Sequence, residues 1–395
     1  MSTTLDHNLR ALFPRLALFD STKELENSSV YPPVRSEVEK ILSSTISEDF
    51  AATVNVGDST SSDCIRAVAW NIERGKSLQK IIRALNSHPL LKESDLLLLT
   101  ELDYGMARTG NLFVAREIAN ELRMNYVFAP CYLALNKGSG LEAETDGENK
   151  QSLHGNAVLA RYPLHCTHSF PLPNGKDKMR GKEKRLGCQR AVIADMQHPS
   201  GALRVVSLHL DAHSTQAHRH RQMRLLLDHL ESLRPALPVL IGGDWNTSTY
   251  NSRCALYSIL GYARRVGMGV QNVIENHYPY PERWFERKLF RELEERGYNY
   301  RDLNERGACT LHYDVSDRAT NVNLGDWIPQ WCFHFITWAL NAHGGRCSLK
   351  LDWFAGKNIQ TVPEHTPQVI DSKTFGDDAP PSDHDPILLD FVPQN

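Results

Sequence analysis

Short apolar runs alternate with amphipathic segments along most of the chain, from about residue 65 to residue 391. Short apolar runs bounded by turn or polar residues predict buried strands, and apolar residues that recur every three or four positions predict helices with one buried face. The predicted helices are 78–85, 113–122, 215–233 and 281–295. The predicted strands are 65–70, 95–100, 126–129, 154–164, 189–196, 203–210, 239–241, 349–354 and 387–391. This alternation predicts an α/β fold with a large core.

Polar residues follow several of these predicted strands at once. The run 239–241 leads through two glycines to Asp244 and Asn246, and the run that closes at Thr100 leads to Glu101. A G-D-x-N sequence by itself is compatible with a strand followed by a simple Asx turn. An acid that ends an apolar strand needs a partner, which is either a divalent cation or a salt bridge. We expect Glu101 to bind a metal ion.

Other strand ends carry similar residues. The strand predicted at 65–70 is followed by Asn71 and Glu73, and the strand predicted at 203–210 contains His209 near its end. A single histidine at such a place is usually structural. Asp352 lies within the strand predicted at 349–354, and Asp383-His384 precedes the last predicted strand.

Two segments could recognise a substrate. Residues 176–185 carry six cations against two acids, which fits either a phosphate-facing loop or a solvated hairpin tip. Residues 250–345 interrupt the α/β pattern with an aromatic- and arginine-rich insertion, which we expect to encode specificity and to be dispensable for the chemistry. Aromatic side chains in such an insertion form either local core or base-stacking platforms.

Residues 1–61 predict an N-terminal helical extension and linker, with helices near 9–16 and 37–46, that serves packing or oligomer contacts. Residues 62–395 then form the catalytic domain. A net charge of −3 argues against coating of nucleic acid by bulk electrostatics, although a local basic patch remains compatible with it. The eight cysteines lack C-x-x-C spacing, and we expect most of them to be buried thiols. Without a signal peptide or transmembrane segment, a cytoplasmic location is expected.

Several motifs, in order, resemble the endonuclease/exonuclease/phosphatase superfamily, which has the deoxyribonuclease I-like fold. They are 70–73 (WNIE), 100–101 (TE), 154–159 (HGNAVL), 208–210 (LHL), 243–246 (GDWN), 351–354 (LDWF) and 382–384 (SDH). The resemblance covers about four-fifths of the chain. It implies a four-layered α/β sandwich, with two mainly antiparallel sheets flanked by helices. It also implies hydrolysis of phosphate esters with Mg²⁺ or Mn²⁺.

The resemblance also assigns roles to individual residues. Glu101 is expected to be the principal metal ligand, with Asp383 and Glu73 as further candidates; Glu73 stands where many family members have Asp. Asn71 and Asn156 are expected to bind the substrate phosphate, and Asn71 could also orient Glu101. Five residues are expected to be catalytic. They would activate water and stabilise the charge that develops on the phosphate and on the leaving oxygen, and they are His209, Asp244, Asn246, Asp352 and His384.

Four functions are compatible with these residues. The leading interpretation is a metal-dependent phosphodiesterase with nucleic acid as its substrate. A lipid or small-molecule phosphodiesterase is the main alternative, and an inositol-phosphate phosphatase would require a denser cationic cluster than the linear sequence shows. A catalytically inactive scaffold is disfavoured because the whole set of polar strand-end residues is present. The oligomeric state and the number of metal ions stay open.

Overall fold

The computed structural model describes residues 5–51, 64–247, 255–316 and 332–394. The helices in these ranges are α1 (Phe13–Leu16), α2 (Thr22–Glu26), α3 (Arg35–Ser43), α4 (Leu78–Ser87), α5 (Val114–Leu122), α6 (Gln216–Ser232), α7 (Ala255–Gly267), α8 (Val270–Asn272), α9 (Arg287–Glu295) and α10 (Cys332–Leu340). The strands are β1 (Ile46–Glu48), β2 (Ile65–Arg74), β3 (Leu96–Tyr104), β4 (Asn125–Ala134), β5 (Leu153–Ala160), β6 (Leu164–Pro171), β7 (Arg185–Gly187), β8 (Arg190–His198), β9 (Gly201–Ser207), β10 (Val239–Asp244), β11 (Leu311–Asp314), β12 (Arg346–Leu349), β13 (Asp352–Lys357), β14 (Ile359–Thr361), β15 (Gln368–Val369) and β16 (Ile387–Pro393).

Two large sheets form the centre of the molecule. The nine-stranded sheet has the order β1-β4-β5-β3-β2-β16-β14, with β7 paired to β4 and β15 paired to β16. The five-stranded sheet has the order β13-β10-β9-β8-β6. The β2–β3 and β9–β10 pairs are parallel, and the other strand pairs described in these sheets are antiparallel. The prediction of two mainly antiparallel sheets is therefore confirmed.

The side-chain alternation of strand β2 shows how the layers are built. Ala67 and Ala69 point into the core between the two sheets, whereas Val68 and Trp70 point into a second core beneath α4 and α5. Strands of the other sheet behave in the same way, and their outer side chains pack on α6 and α9. Successive side chains in a strand point to opposite faces, so strands that are apolar at nearly every position require cover on both sides. The result is the predicted four-layered sandwich.

The N-terminal segment is helical near the predicted positions, in a 3₁₀ turn at Leu9–Leu12, in α1 and in α3. The description of it as a helical extension is incomplete, however, because β1 pairs with β4 at the edge of the nine-stranded sheet. Buried residues of this segment share one core with the sheet and with α4 and α5. The proposed boundary at residue 61 and the linker at 58–63 lie outside the described residues, so that division stays a prediction.

The insertion at 250–345 is also joined to the sandwich. Helix α9 buries Leu289, Phe290 and Leu293 against the outer face of the five-stranded sheet, and β11 pairs with β12. The predicted strand at 349–354 is in fact two strands, β12 and β13. The chain changes partner between them: Leu349 O accepts a hydrogen bond from the amide of Thr310, and Leu351 O accepts one from the amide of Trp245.

The expectations about membrane-spanning segments and about cysteine burial can be compared with the described residues. No helix within the described ranges is long and apolar enough to cross a membrane. The expectation that most cysteines are buried does not hold for the six described as free thiols, because only Cys131 is buried and Cys166 is exposed.

Candidate active site

Paired bulges bring the polar ends of β2 and β3 to one edge of the nine-stranded sheet. Their parallel pairing shifts register after Asn71, and the β3–β5 pairing shifts after Leu99. Glu73, Arg74 and Glu101 have left-handed backbone conformations there, with φ of 47°, 67° and 57°. Bulges of this kind redirect side chains out of the regular alternation. Glu73 and Glu101 therefore do not follow the regular alternation of side chains between the two faces of the sheet.

A glycine allows the neighbouring loop to approach the end of β10. Gly243 has φ of 136°, and a Cβ atom placed there would lie 2.2 Å from the carbonyl oxygen of Leu208. No larger residue fits both restrictions. The amide of Leu210 donates to Asp244 O over 3.0 Å, so the chain on either side of His209 is fixed to β10.

The carboxylate of Asp244 is the meeting point of the site. Its Oδ2 accepts a hydrogen bond from Asn71 Nδ2 at 3.1 Å and lies 3.5 Å from His209 Nε2 and 3.9 Å from His384 Nε2. Its Oδ1 accepts the amide of Asn246 at 2.8 Å, which is an Asx turn. Oδ1 of Asp244 thus forms the Asx turn, whereas Oδ2 faces Asn71, His209 and His384.

Electrostatics make Asp244 a stronger base than an ordinary aspartate. Burial raises the pKa of Asp244 and the charge of Asp352 adds to this, although His209 and His384 act in the opposite direction. The side chain is only 2% exposed. A raised pKa brings a carboxylate nearer to the range in which it accepts a proton from water at neutral pH.

His384 is held by a buried acid and a hydroxyl. Its Nδ1 donates to Asp352 Oδ2 over 2.7 Å, and the hydroxyl of Thr310 donates to the same oxygen over 2.6 Å. Burial by itself would lower the pKa of His384, but the charge and hydrogen bond of Asp352 raise it well above its usual value. The raised pKa favours the charged form of His384, whose Nε2 lies 3.9 Å from Asp244 Oδ2.

The backbone of the 382–384 segment is fixed to strand β2. The hydroxyl of Ser382 donates to Asn71 O over 2.7 Å and accepts the amide of His384, and the indole of Trp70 donates to His384 O over 2.8 Å. These bonds position His384 and Asp383 relative to Asn71. The β2 end and the C-terminal polar pair therefore form one rigid wall of the cleft.

Three acids, Glu73, Glu101 and Asp383, lie close enough to affect one another's charge. Desolvation and the charge of Asp383 raise the pKa of Glu73. Desolvation by surrounding protein atoms and the charge of Glu101 raise the pKa of Asp383, although that residue also reaches solvent. Burial would also raise the pKa of Glu101, but the charge of Arg74 and the nearby histidines lower it. The three carboxyl groups thus share one electrostatic neighbourhood.

The two predicted amides serve mainly to hold the backbone. Asn156 accepts the amide of Glu101 at 3.3 Å and donates to Arg190 O at 2.9 Å, so it fixes the bulge that presents Glu101. Asn246 Nδ2 donates to Leu210 O at 3.0 Å and so supports the loop that carries His209. The structure thus places Asn71, Glu73, Glu101, His209, Asp244, Asp352, Asp383 and His384 around one cleft, with Asn156 and Asn246 supporting it from behind.

Sequence reasoning missed two residues that matter. Thr310 lies in the insertion, about forty positions from Asp352, and only the β11–β12 pairing brings it there. Arg74 follows Glu73 directly, and its guanidinium pairs with Glu142 at 3.0 Å while it acts on Glu101. Only the position of Arg74 directly after Glu73 could have indicated its role from the sequence. Nothing in the sequence around Thr310 indicates that it contacts Asp352. The insertion thus supplies a hydrogen bond to the acid that holds His384, and the expectation that it is dispensable for the chemistry stays a prediction.

A four-layered α/β sandwich thus brings this group of histidines, acids and amides to one edge of its sheets. The chain belongs to the Endonuclease/Exonuclease/phosphatase family, whose sequence model matches residues 68–384. The Escherichia coli K12 protein "Uncharacterized protein YbhP" is 33% identical over 93 residues, which are 24% of this chain and 33% of that protein. The chain thus spans about a third of the length of the curated relatives that it matches.

Solved structures with a similar fold share little sequence with this chain. The endonuclease/exonuclease/phosphatase from Beutenbergia cavernae is 15% identical, with a TM-score of 0.47 over 84% of this chain and 72% of that one. The 3′-5′ exonuclease NExo from Neisseria meningitidis is 15% identical, with a TM-score of 0.47 over 83% and 100%. The human Nocturnin catalytic domain is 15% identical, with a TM-score of 0.42 over 84% and 95%.

Proposed function

We propose that this protein is a divalent-metal-dependent phosphodiesterase that acts on nucleic acid. The observation that carries the proposal is the position of Asp244, a buried base held by Asn71 and located within 4 Å of both His209 and His384. One carboxylate with raised pKa beside a histidinium can accept a proton from water while positive charge faces the phosphate.

The donor chemistry of the three acids fits a hard divalent cation. Glu73, Glu101 and Asp383 offer only carboxylate oxygens, and these are the ligands that Mg²⁺ and Mn²⁺ prefer. Mutual repulsion and burial already raise the pKa values of Glu73 and Asp383, so a cation would relieve an existing electrostatic cost. Within the described ranges, no three acidic, histidine or cysteine side chains are arranged as a ready metal site. When bound, the ion would neutralise charge on the phosphate.

The protein's own groups then divide the remaining work. Asp244 Oδ2 accepts the proton of the attacking water, and Asn71 holds that carboxylate in place. His384, charged because of Asp352, faces the negative charge that develops on the phosphoryl oxygens. His209, on the other side of Asp244, is placed to donate to the phosphate or to the leaving oxygen. Asn156 fixes the backbone of Glu101, which binds the cation.

Aromatic side chains outside the core support nucleic acid as the substrate. Trp284 is 52% exposed and stacks on His277 with ring centroids 4.3 Å apart and an angle of 11°. The guanidinium of Arg283 lies 4.5 Å from the centre of the Tyr280 ring. Stacked aromatic and guanidinium surfaces of this kind bind unpaired bases without strong sequence preference. We therefore favour single-stranded segments.

One observation favours a lipid phosphodiester as the second candidate. Helices α7 and α10 expose large apolar side chains, and Tyr262 Oη of α7 donates to Phe335 O of α10. Trp and Tyr are typical of surfaces that contact a membrane interface. The exposed side chains are Leu256, Tyr257, Leu260, Phe335 and Trp338.

Two assays test the proposal. Hydrolysis of bis-p-nitrophenyl phosphate is measured with Mg²⁺, with Mn²⁺ and with EDTA, and Asp244→Asn serves as the matched inactive variant. We expect activity with either ion and loss of it with EDTA or in the variant. Single-stranded DNA, RNA, sphingomyelin vesicles and inositol polyphosphates are then compared. Activity that persists in EDTA would contradict the metal requirement, and a preference for sphingomyelin would favour the second candidate.

A further inference from the structure

Several cations of the segment 176–185 form a basic cluster around the ring of Tyr132. Lys178 Nζ and the guanidinium of Arg185 lie 5.8 and 5.5 Å from the centre of the buried Tyr132 ring. Lys178 Nζ also donates to Asp211 Oδ1 over 2.8 Å, and Arg185 pairs with Glu183. An ammonium group has three N–H donors and a guanidinium has five, so one carboxylate partner does not exhaust either of them.

This basic cluster is linked to the candidate catalytic residues by neighbouring positions in the chain and by side-chain contacts. Asp211, which holds Lys178, follows His209 by two positions, and the carbonyl between them accepts the side chain of Asn246. On the other side, the Tyr132 ring stacks against that of His154, with centroids 6.4 Å apart. His154 in turn acts on the charge of Glu101. Lys178 and Arg185 therefore lie beside the loop that carries His209.

The cations of the basic cluster outnumber its acids, because the segment 176–185 carries six cations and two acids and Asp211 adds one further acid. Lys178 and Arg185 are 11% and 19% exposed, so water screens them incompletely. Burial lowers the pKa of Lys178, and Arg185 and Lys176 lower it further despite Asp211. The pKa of His213 is lowered well below its usual value by burial and then by Lys178. Lys178 is thus acted on by the positive charges of Arg185 and Lys176 as well as by the negative charge of Asp211.

We infer that Lys178 and Arg185 form a second phosphate-binding subsite, which takes a terminal phosphate of a nucleotide chain whose neighbouring diester is being hydrolysed. A phosphate monoester carries negative charge and acceptor oxygens for those N–H groups of Lys178 and Arg185 that their single carboxylate partners do not use. The inference rests on the proposed function and adds to it that the enzyme prefers diesters close to a phosphorylated chain end. The salt bridges Lys178–Asp211 and Arg185–Glu183 then hold the cations of the basic cluster in position between turnovers.

Three thymidine dinucleotides test this subsite: dTpdT, its 5′-phosphorylated form and its 3′-phosphorylated form. They differ by one terminal phosphate and share the same scissile diester. Their kcat/KM values are measured by chromatography of the products in saturating Mg²⁺. We expect one phosphorylated form to be hydrolysed at least about tenfold more efficiently than dTpdT, since charge-assisted hydrogen bonds are among the strong ones.

Arg185→Met should reduce that preference to about twofold or less, and Arg185→Lys, which keeps the charge, should retain part of it. Arg180→Met is the matched control, because Arg180 lies on the same segment and is exposed; its preference should equal that of the parent. Thermal unfolding of each variant verifies that it is folded.

Equal kcat/KM for all three dinucleotides in the parent protein would overturn the inference and leave the proposed function standing. An unchanged preference in folded Arg185→Met, or an equal loss in Arg180→Met, would also overturn it. Cleavage of single-stranded DNA but of none of the dinucleotides would overturn this inference alone, whereas failure on single-stranded DNA, RNA and the dinucleotides together, in a preparation that hydrolyses bis-p-nitrophenyl phosphate, would overturn the nucleic-acid function itself.

Discussion

Removal of the Thr310 hydroxyl should weaken catalysis, because Thr310 acts on His384 through Asp352. Thr310→Val replaces the hydroxyl with a methyl group of similar size. The substitution removes the 2.6 Å bond to Asp352 Oδ2 and the acceptor for the amides of Leu351 and Asp352, both at 3.2 Å. Asp352 Oδ1 is buried without a hydrogen-bond partner among the described residues, so no second bond secures the carboxylate. Only His384 then restrains it.

The expected size of the effect follows from these bonds. A hydrogen bond to a charged group contributes about 1.5–3 kcal/mol. If all of it served to aim His384 in the transition state, kcat would fall by about 10- to 150-fold. Stability should also fall, by roughly 2 kcal/mol, because two buried amides lose their acceptor. Thr310→Ser keeps the hydroxyl, so its kcat should stay within about threefold of the parent.

The assay is Mg²⁺-dependent hydrolysis of bis-p-nitrophenyl phosphate over a range of pH, with chemical denaturation as the measure of stability. A positioning role predicts a lower kcat, a nearly constant KM and a displaced pH profile in Thr310→Val alone. Equal losses in the Val and Ser variants, or a change confined to KM, would refute the reasoning. A loss of stability with normal kcat would show that Thr310 serves only the fold.

Four further predictions concern the candidate active site. Asp352→Asn removes the charge that raises the pKa of His384 against burial, so the alkaline limb of the activity profile should move to lower pH; an unmoved limb would show that His384 does not act as a cation. In the parent, the same raised pKa stabilises the fold at pH values below about 6.5 and the gain is lost as pH rises through the folded-state pKa, which denaturation at several pH values measures. Glu101→Gln should weaken Mg²⁺ binding in calorimetry, and parent-like affinity would remove Glu101 from the ligand set. His209→Ala and His384→Ala should each lower kcat by roughly 100-fold or more, whereas an effect on KM alone would make them binding residues.

The alternation of apolar and polar positions predicted most of the strands and helices, whereas the four-layered sandwich was implied by the resemblance of the motifs to a known family. A strand such as β2 is apolar at nearly every position and must be covered on both faces, which implies layers before any coordinates are known. Polar residues that follow buried strands had to lie at sheet edges, because an unpaired charge is too costly inside a core. Asn71, Glu101, Asp244 and His384 could be identified from local sequence for this reason.

Contacts between distant segments could not be predicted in the same way. Thr310 reaches Asp352, β1 joins the large sheet, and the basic segment contacts Asp211 only because strand pairing and packing close loops of very different lengths. A single sequence carries no periodic signal for such closures, since they depend on how whole layers fit together. The sequence by itself therefore determined which residues can do the chemistry. The tertiary structure decided which of them touch, and which side chains hold them in place.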